Sequence, residues 1–268
     1  MLRDITLGQY YPVDSVIHGL DPRVKLMGTL VYLLSLFIMS SWTGYLLGAL
    51  VLALLIRLSR VPFSFMTKGL KSILFLLLLS VSFNLFLTPG TVLLQIGFLK
   101  LTREGLRLAL MMGCRLILLV LGSSLMTLTT TPNQLTDGLE KGLGFLKLVH
   151  VPVHEIAMMM SIALRFIPIL VEETDKIMKA QQARGADFES GNIFQRAKAM
   201  VPILVPLFIS AFRRANDLAM AMEARCYHGD EGRTKMKPLR YATRDRIAYV
   251  LMAAYLAVSV LNRILPLP

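Results

Sequence analysis

A chain of 268 residues that is 55% hydrophobic and only 17% charged, with a mean hydropathy of +0.61, is not an ordinary soluble domain. Its formal charge of +12 would suit nucleic acid, but no stacking aromatics are interleaved with the basic residues. The cytoplasmic loops of a multi-span membrane protein collect Lys and Arg in the same way, and several apolar stretches approach the ~20 residues a helix needs to cross a bilayer.

The first residues, Met1 to Tyr11, contain Arg3 and Asp4 and no apolar run, so no cleavable signal is expected. Asp21-Pro22 reads as a helix start, an acidic N-cap followed by proline at the first helical position. No charge then occurs from Leu26 to Ile56, and Ser40-Ser41-Trp42-Thr43-Gly44 interrupts the run. Two compact spans are predicted, 22–40 and 43–58, with Trp42 at an interface. Arg57, Arg60, Lys68 and Lys71 follow without an acid, which predicts a cytoplasmic segment and hence a cytoplasmic N-terminus. A third span is expected over 69–88, an outside segment over 89–105 and a fourth span over 106–130. Arg115 lies deep in that fourth span, where it serves either as a hydrogen-bonded bundle arginine or in transport.

A further helix is expected over 133–148. From Val151 to Arg246 charges are interspersed at helical spacing, the pattern of long amphipathic helices rather than spans. Pro168, Pro202 and Pro206 should kink or divide them, giving helices near 153–169, 171–185 and 193–227, parted at Gly191-Asn192. A polar exit over 229–238 leads to a fifth, short span, 247–261, ending outside. The expected fold is therefore an all-α integral membrane protein. It has a four-span membrane domain (1–130), a cytoplasmic region of long amphipathic helices (131–244) and a final transmembrane helix (245–268).

Within the amphipathic region one arrangement occurs twice. Ala180, Ala183, Arg184 and Gly185 are matched by Ala221, Ala224, Arg225 and Cys226, with the two arginines offset by 41 residues. Positions i, i+3 and i+4 share a helix face, so each copy is a smooth alanine patch with one long cation at its edge. Guanidinium offers five fixed donors suited to a carboxylate or to helix-end carbonyls, which makes the copies two plugs for two similar sockets. The alternative is an ordinary helix end, where the dipole favours arginine and glycine caps the chain.

Other chemistry finds little support. No Gly-rich turn ends in Gly-Lys-Ser/Thr, so the chain should not hydrolyse nucleotide. His150, His154 and Glu155 have part of a metal-site spacing, but Pro152 interrupts it and no third ligand follows. Cys114 and Cys226 fall in a predicted span and a predicted cytoplasmic segment, and neither a disulfide nor a metal site is expected. No cofactor is implied. The spans hold almost no acids, which weighs against an autonomous channel or secondary carrier, the alternative reading. Met158, Met159 and Met160 cannot all face one helix side, so some should meet lipid or a partner.

On the strength of Ala183-Arg184-Gly185, Ala224-Arg225-Cys226, Arg165-Phe166-Ile167-Pro168 and Asp21-Pro22-Arg23-Val24-Lys25, the chain resembles the transmembrane T component of energy-coupling factor transporters, over essentially its whole length. The resemblance implies a scaffold without enzymatic activity of its own, in a prokaryotic cell membrane, that takes part in vitamin or metal-ion uptake. Its implied partners are two ABC-type ATPase subunits and a small membrane subunit that captures substrate. Arg184 and Arg225 would each enter a groove on one ATPase, at the ends of coupling helices supported by Arg165, Pro168, Ala180 and Ala221. Cys226 departs from the glycine of the first copy, which leaves the capping of the second helix open.

Overall fold

The structure is a computed structural model describing residues 9–96, 99–188, 192–229, 236 and 238–264. Arg3, Asp4, the separator Gly191 and most of the expected polar exit lie outside those residues. The described residues form two compact units, one of 9–141 with 239–264 and the other within 142–238.

The first unit is a bundle built from α1 (Pro22–Ile38), α2 (Trp42–Ser59), α3 (Phe63–Leu87), α4 (Arg103–Thr129), the short α5 (Pro132–Gly142) and α8 (Thr243–Ile264). Asp21 is the N-cap expected from sequence, its carboxylate accepting from the Arg23 amide at 2.9 Å. Ser41 caps α2 in the interruption between the first two spans. α2, α4 and α8 are long and apolar enough to cross a membrane, as is α3 when its two bent segments are taken as one. α1 is 17 residues long, about 25 Å, slightly under the thickness of a bilayer core.

The core of this unit is lined by Tyr32, Leu36, Met39, Tyr45, Leu52, Met66, Leu118 and Leu125. The opposite faces are apolar as well: Leu30, Leu34 and Phe37 of α1 and Leu46, Leu50 and Leu54 of α2 are exposed at helical spacing, as lipid-facing surfaces require. Small residues let the helices approach closely. A Cβ on Gly122 of α4 would lie 2.6 Å from the Tyr32 ring of α1. Polar side chains pair between the helices: Tyr255 of α8 meets Ser35 of α1 at 2.7 Å, and Asn262 meets Ser41 and Thr43 at the α1–α2 turn. Arg115 joins the same turn, donating to the Tyr45 hydroxyl at 2.6 Å and to the Met39 carbonyl at 3.4 Å. The first of the two expected uses of Arg115, a hydrogen bond within the bundle, is the one its geometry displays.

The expected outside segment contains an antiparallel hairpin, β1 (Val92–Ile96) and β2 (Leu99–Thr102), with Val92 opposite Thr102. Glu104, in the first turn of α4, closes it by accepting from the Thr91 amide at 2.7 Å. The helix expected over 133–148 stops at Gly142 and continues as a 3-10 turn, Gly144–Val149.

In the second unit, α6 (Val153–Ala183) and α7 (Ile193–Glu223) are each 31 residues long and pack on one another. The expected division into 153–169 and 171–185 is corrected: α6 runs unbroken through Pro168. Proline removes one donor and crowds one carbonyl, which a long helix packed on a neighbour absorbs. Pro202 and Pro206 likewise lie inside α7. The charges of α6 gather in its C-terminal half, and the helix as a whole contains a stretch apolar enough to cross a membrane.

Candidate functional site: two arginine-capped helix ends

The ends of α6 and α7 are built alike. After α6, the Gly185 amide donates to the Gln182 carbonyl at 2.9 Å and the Ala186 amide to Gln181 at 3.0 Å, with Gly185 at φ +90°. After α7, the Cys226 amide donates to Glu223 at 2.9 Å and the Tyr227 amide to Met222 at 3.1 Å, with Cys226 at φ +54°. Both are Schellman caps, in which a left-handed residue lets two later amides satisfy two terminal carbonyls. Arg184 and Arg225 occupy the identical place, the last residue before the left-handed one.

The question left open by Cys226 is thereby answered. Its side chain accepts a conformation that glycine takes without cost, and the backbone bonds are those of the first copy. The turn after it is held by His228, whose Nδ1 lies 2.7 Å from the Cys226 carbonyl and donates to it.

Ala180, Ala183 and Arg184 are all exposed, and so are Ala221, Ala224 and Arg225. Among the described residues neither terminal guanidinium has an ion pair or a hydrogen bond, so the donors of each are unused within the chain's described part. Arg165 and Pro168 are not brought to these ends. Both are exposed in the middle of α6, with Arg165 about 28 Å along the helix from Arg184.

A contact that the sequence reading missed ties the two helices at equivalent positions. Arg214 of α7 donates to Glu173 of α6 at 3.4 Å, and these residues are 41 apart, the same offset as the terminal arginines. Each therefore precedes its own arginine by the same length, about 16 Å of helix. The repeat offset was visible in the sequence and was not extended beyond the alanine patches.

α7 also bears an apolar stripe. Val201, Leu204, Val205, Phe208 and Phe212 are exposed, with the last two rings 5.5 Å apart. Met159, Met160, Met200 and Met220 are exposed as well, so the expectation that some methionines face outward holds. His154 is buried and His150 sits at φ +60°. Among the described residues no three His, Cys, Asp or Glu side chains come together.

The other motif singled out near the start, Asp21-Pro22-Arg23-Val24-Lys25, holds the first unit together. Asp245 at the start of α8 accepts from the Asp21 amide at 2.9 Å, and Arg23 lies over the Tyr241 ring at 4.0 Å. Buried Lys25 donates to the His18 carbonyl at 3.0 Å and to Thr129, at the end of α4, at 2.9 Å. Preceding α1, the His18 ring bonds Ser15 at 2.6 Å and the Tyr11 carbonyl at 3.0 Å, and its burial holds its pKa below the ordinary value.

Residues 14–236 match the model of the cobalt transport protein family CbiQ. The chain is 54% identical to the energy-coupling factor transporter transmembrane protein EcfT of Clostridium kluyveri, over 98% of both proteins. It is 51% identical to the protein of the same name from Thermosediminibacter oceani, over 98% of this chain and 99% of that one. Identity to the Bacillus subtilis protein of that name is 46%, over 96% of this chain and 98% of that one.

Proposed function

The chain belongs to the CbiQ family, as a transmembrane component of energy-coupling factor transporters, and on that premise we propose that it couples two ABC-type ATPases to a membrane subunit that captures substrate. The observation that carries this reading is the duplicated cap: two exposed arginines, unpaired among the described residues, on identical backbone turns of two packed helices. Two equivalent plugs call for two equivalent sockets, which a pair of related ATPases supplies. A desolvated arginine–carboxylate contact loses about 2–5 kcal/mol when one partner is truncated, enough to hold each anchor.

The capture subunit is assigned to the apolar stripe of α7, where Val201, Val205, Phe208 and Phe212 offer a row without charge. Closure of the ATPases on ATP draws the Arg184 and Arg225 ends together, and α6 and α7 carry that movement to the capture subunit, which releases its vitamin or metal ion inside. Hydrolysis belongs to the partners, since this sequence has no P-loop. The basic segment Arg57–Lys71 and the terminal arginines lie on the cytoplasmic side of a prokaryotic cell membrane in this reading.

The test is a pull-down of the tagged protein from its native membrane, wild type beside Arg184→Glu with Arg225→Glu. Two ATPases and a small membrane protein are expected with the wild type, and the ATPases are expected to be lost from the variant. A variant that keeps its ATPases would reduce both arginines to ordinary helix ends.

A further inference from the structure

Two hollows of the first unit meet at Val16, Leu58 and Arg244. The inner one, of about 400 Å³, is an apolar slot between α1, α2, α4 and α8, walled by Val24, Gly28, Leu52, Leu125, Ala248 and Met252. It runs along α8 from Arg244 to Tyr255, about 16 Å. At its deep end the Tyr32 and Tyr255 rings stack with centroids 6.3 Å apart. The outer hollow, of about 1010 Å³, is open and of mixed polarity, and it presents Arg57, Arg60 and Arg244 beside His18 and one acid, Asp14. All three arginines are exposed, and among the described residues none has an ion pair.

A charged mouth over a largely apolar slot suits one kind of molecule, an amphiphile of opposite sign. We infer that this site holds an anionic phospholipid, its phosphate among Arg57, Arg60 and Arg244 and one acyl chain in the slot ending at Tyr32 and Tyr255. A free phosphate would use the mouth and leave the slot empty. A zwitterionic lipid would fill the slot while bringing its own cation to three guanidinium groups. Basic pockets between spans are a recurring device for anionic headgroups. Lys25 adds a further positive charge on the slot's wall, two of its donors directed at the His18 and Thr129 backbone carbonyls rather than at a carboxylate. This assignment is independent of the coupling role proposed for Arg184 and Arg225.

The experiment is native mass spectrometry of the full-length chain in detergent, titrated with dioleoyl-phosphatidylglycerol, dioleoyl-phosphatidylcholine or glycerol phosphate. Three proteins are compared: wild type, Arg57→Gln with Arg60→Gln and Arg244→Gln, and Ala248→Trp, which fills the slot. Each basic side chain near an anionic headgroup is worth about fivefold, so wild type should prefer phosphatidylglycerol by about a hundredfold, and the triple variant should lose that preference. Ala248→Trp should bind phosphatidylglycerol no better than it binds glycerol phosphate. If the triple variant aggregates, a potassium chloride titration of wild type replaces it, and binding should weaken as salt rises. Equal retention of both lipids by wild type, or a preference that survives the three substitutions or high salt, would overturn the assignment. So would undiminished phosphatidylglycerol binding by Ala248→Trp, or displacement of the lipid by equimolar glycerol phosphate, which would make a free anion the ligand.

Discussion

The two caps differ at one residue, and that difference can be exchanged. At φ +90°, an alanine in place of Gly185 would carry a left-handed conformation that costs an L-residue about 1 kcal/mol. No atom lies within 4 Å of the added Cβ, so no clash contributes and the conformational cost stands alone. Cys226→Gly reverses the sign: it removes a similar strain at φ +54° but adds the greater freedom of glycine in the open state, for a net gain of at most ~1 kcal/mol. One kcal/mol is about fivefold in a local opening equilibrium. Hydrogen exchange of the full-length protein, followed in peptides covering 180–187 and 221–228, reads each cap separately. Gly185→Ala should accelerate exchange at positions 185 and 186 about fivefold and leave the second cap unchanged. Cys226→Gly should leave the first cap unchanged and slow exchange at positions 226 and 227 by a smaller factor. Faster exchange in Cys226→Gly would refute the reasoning, because the cysteine would then be stabilising its turn rather than straining it.

Three further outcomes concern the first unit. Lys25→Met strands the His18 and Thr129 carbonyls and should lower stability by about 1–3 kcal/mol, read as a lower Tm in detergent; an unchanged Tm would remove Lys25 from the clasp. Gly122→Leu drives a side chain into Tyr32 and should cost about 1–3 kcal/mol, with Tyr32→Ala recovering part of the loss in a double-mutant cycle; purely additive effects would deny the contact. His18 is held neutral by burial, with Lys25 pressing the same way and Asp14 opposing, so its folded pKa lies below the ~6.5 of the unfolded chain. The unfolded state takes up the proton first as pH falls. The stabilisation is present above pH ~6.5 and lost as pH drops through the folded value. Exchange protection over 10–20, corrected for intrinsic rate, should fall with acid in wild type and stay flat in His18→Phe.

How much of this was legible depends on what each feature contrasts with. Asp21-Pro22 and the Ser40–Gly44 interruption are polar or turn residues in an apolar background, and the bounds of α1 and α2 follow from them closely. The segment holding the hairpin over Val92–Thr102 was set apart from the spans, but strands of five and four residues are too short to establish a period that marks them as strands. Pro168 misled for another reason: sequence records the missing donor but not the neighbouring helix that keeps the chain helical through it. The two arginine ends were readable as residues but not as geometry. Nothing about cysteine predicts a left-handed turn, and only the backbone bonds make the copies equivalent. Lys25 had a signal that went unused, since a cation at the edge of a run of thirty-one uncharged residues demands partners.

The tie between Glu173 and Arg214 bears on how movement at one end reaches the other. Partly exposed on both sides, with side chains 37% and 27% accessible, the pair contributes less than about 1 kcal/mol of stability. Its place matters more than its strength: it joins equivalent positions, so each arginine stands at the end of an equal arm of about 16 Å. Among the described residues the Arg214 Nε is buried and unbonded, so the guanidinium meets Glu173 through a single nitrogen, Nη2. If α6 and α7 move as paired levers, Glu173→Arg should leave helix content and Tm nearly unchanged while lowering substrate uptake per ATP hydrolysed in the reconstituted transporter. Exchanging both charges, Glu173→Arg with Arg214→Glu, should recover much of the loss, because the register is restored although each arm now carries the other's residue. Uptake per ATP that is unaffected by the single reversal would mean that the arms move independently, and the equal offset would then record only the duplication of the helix.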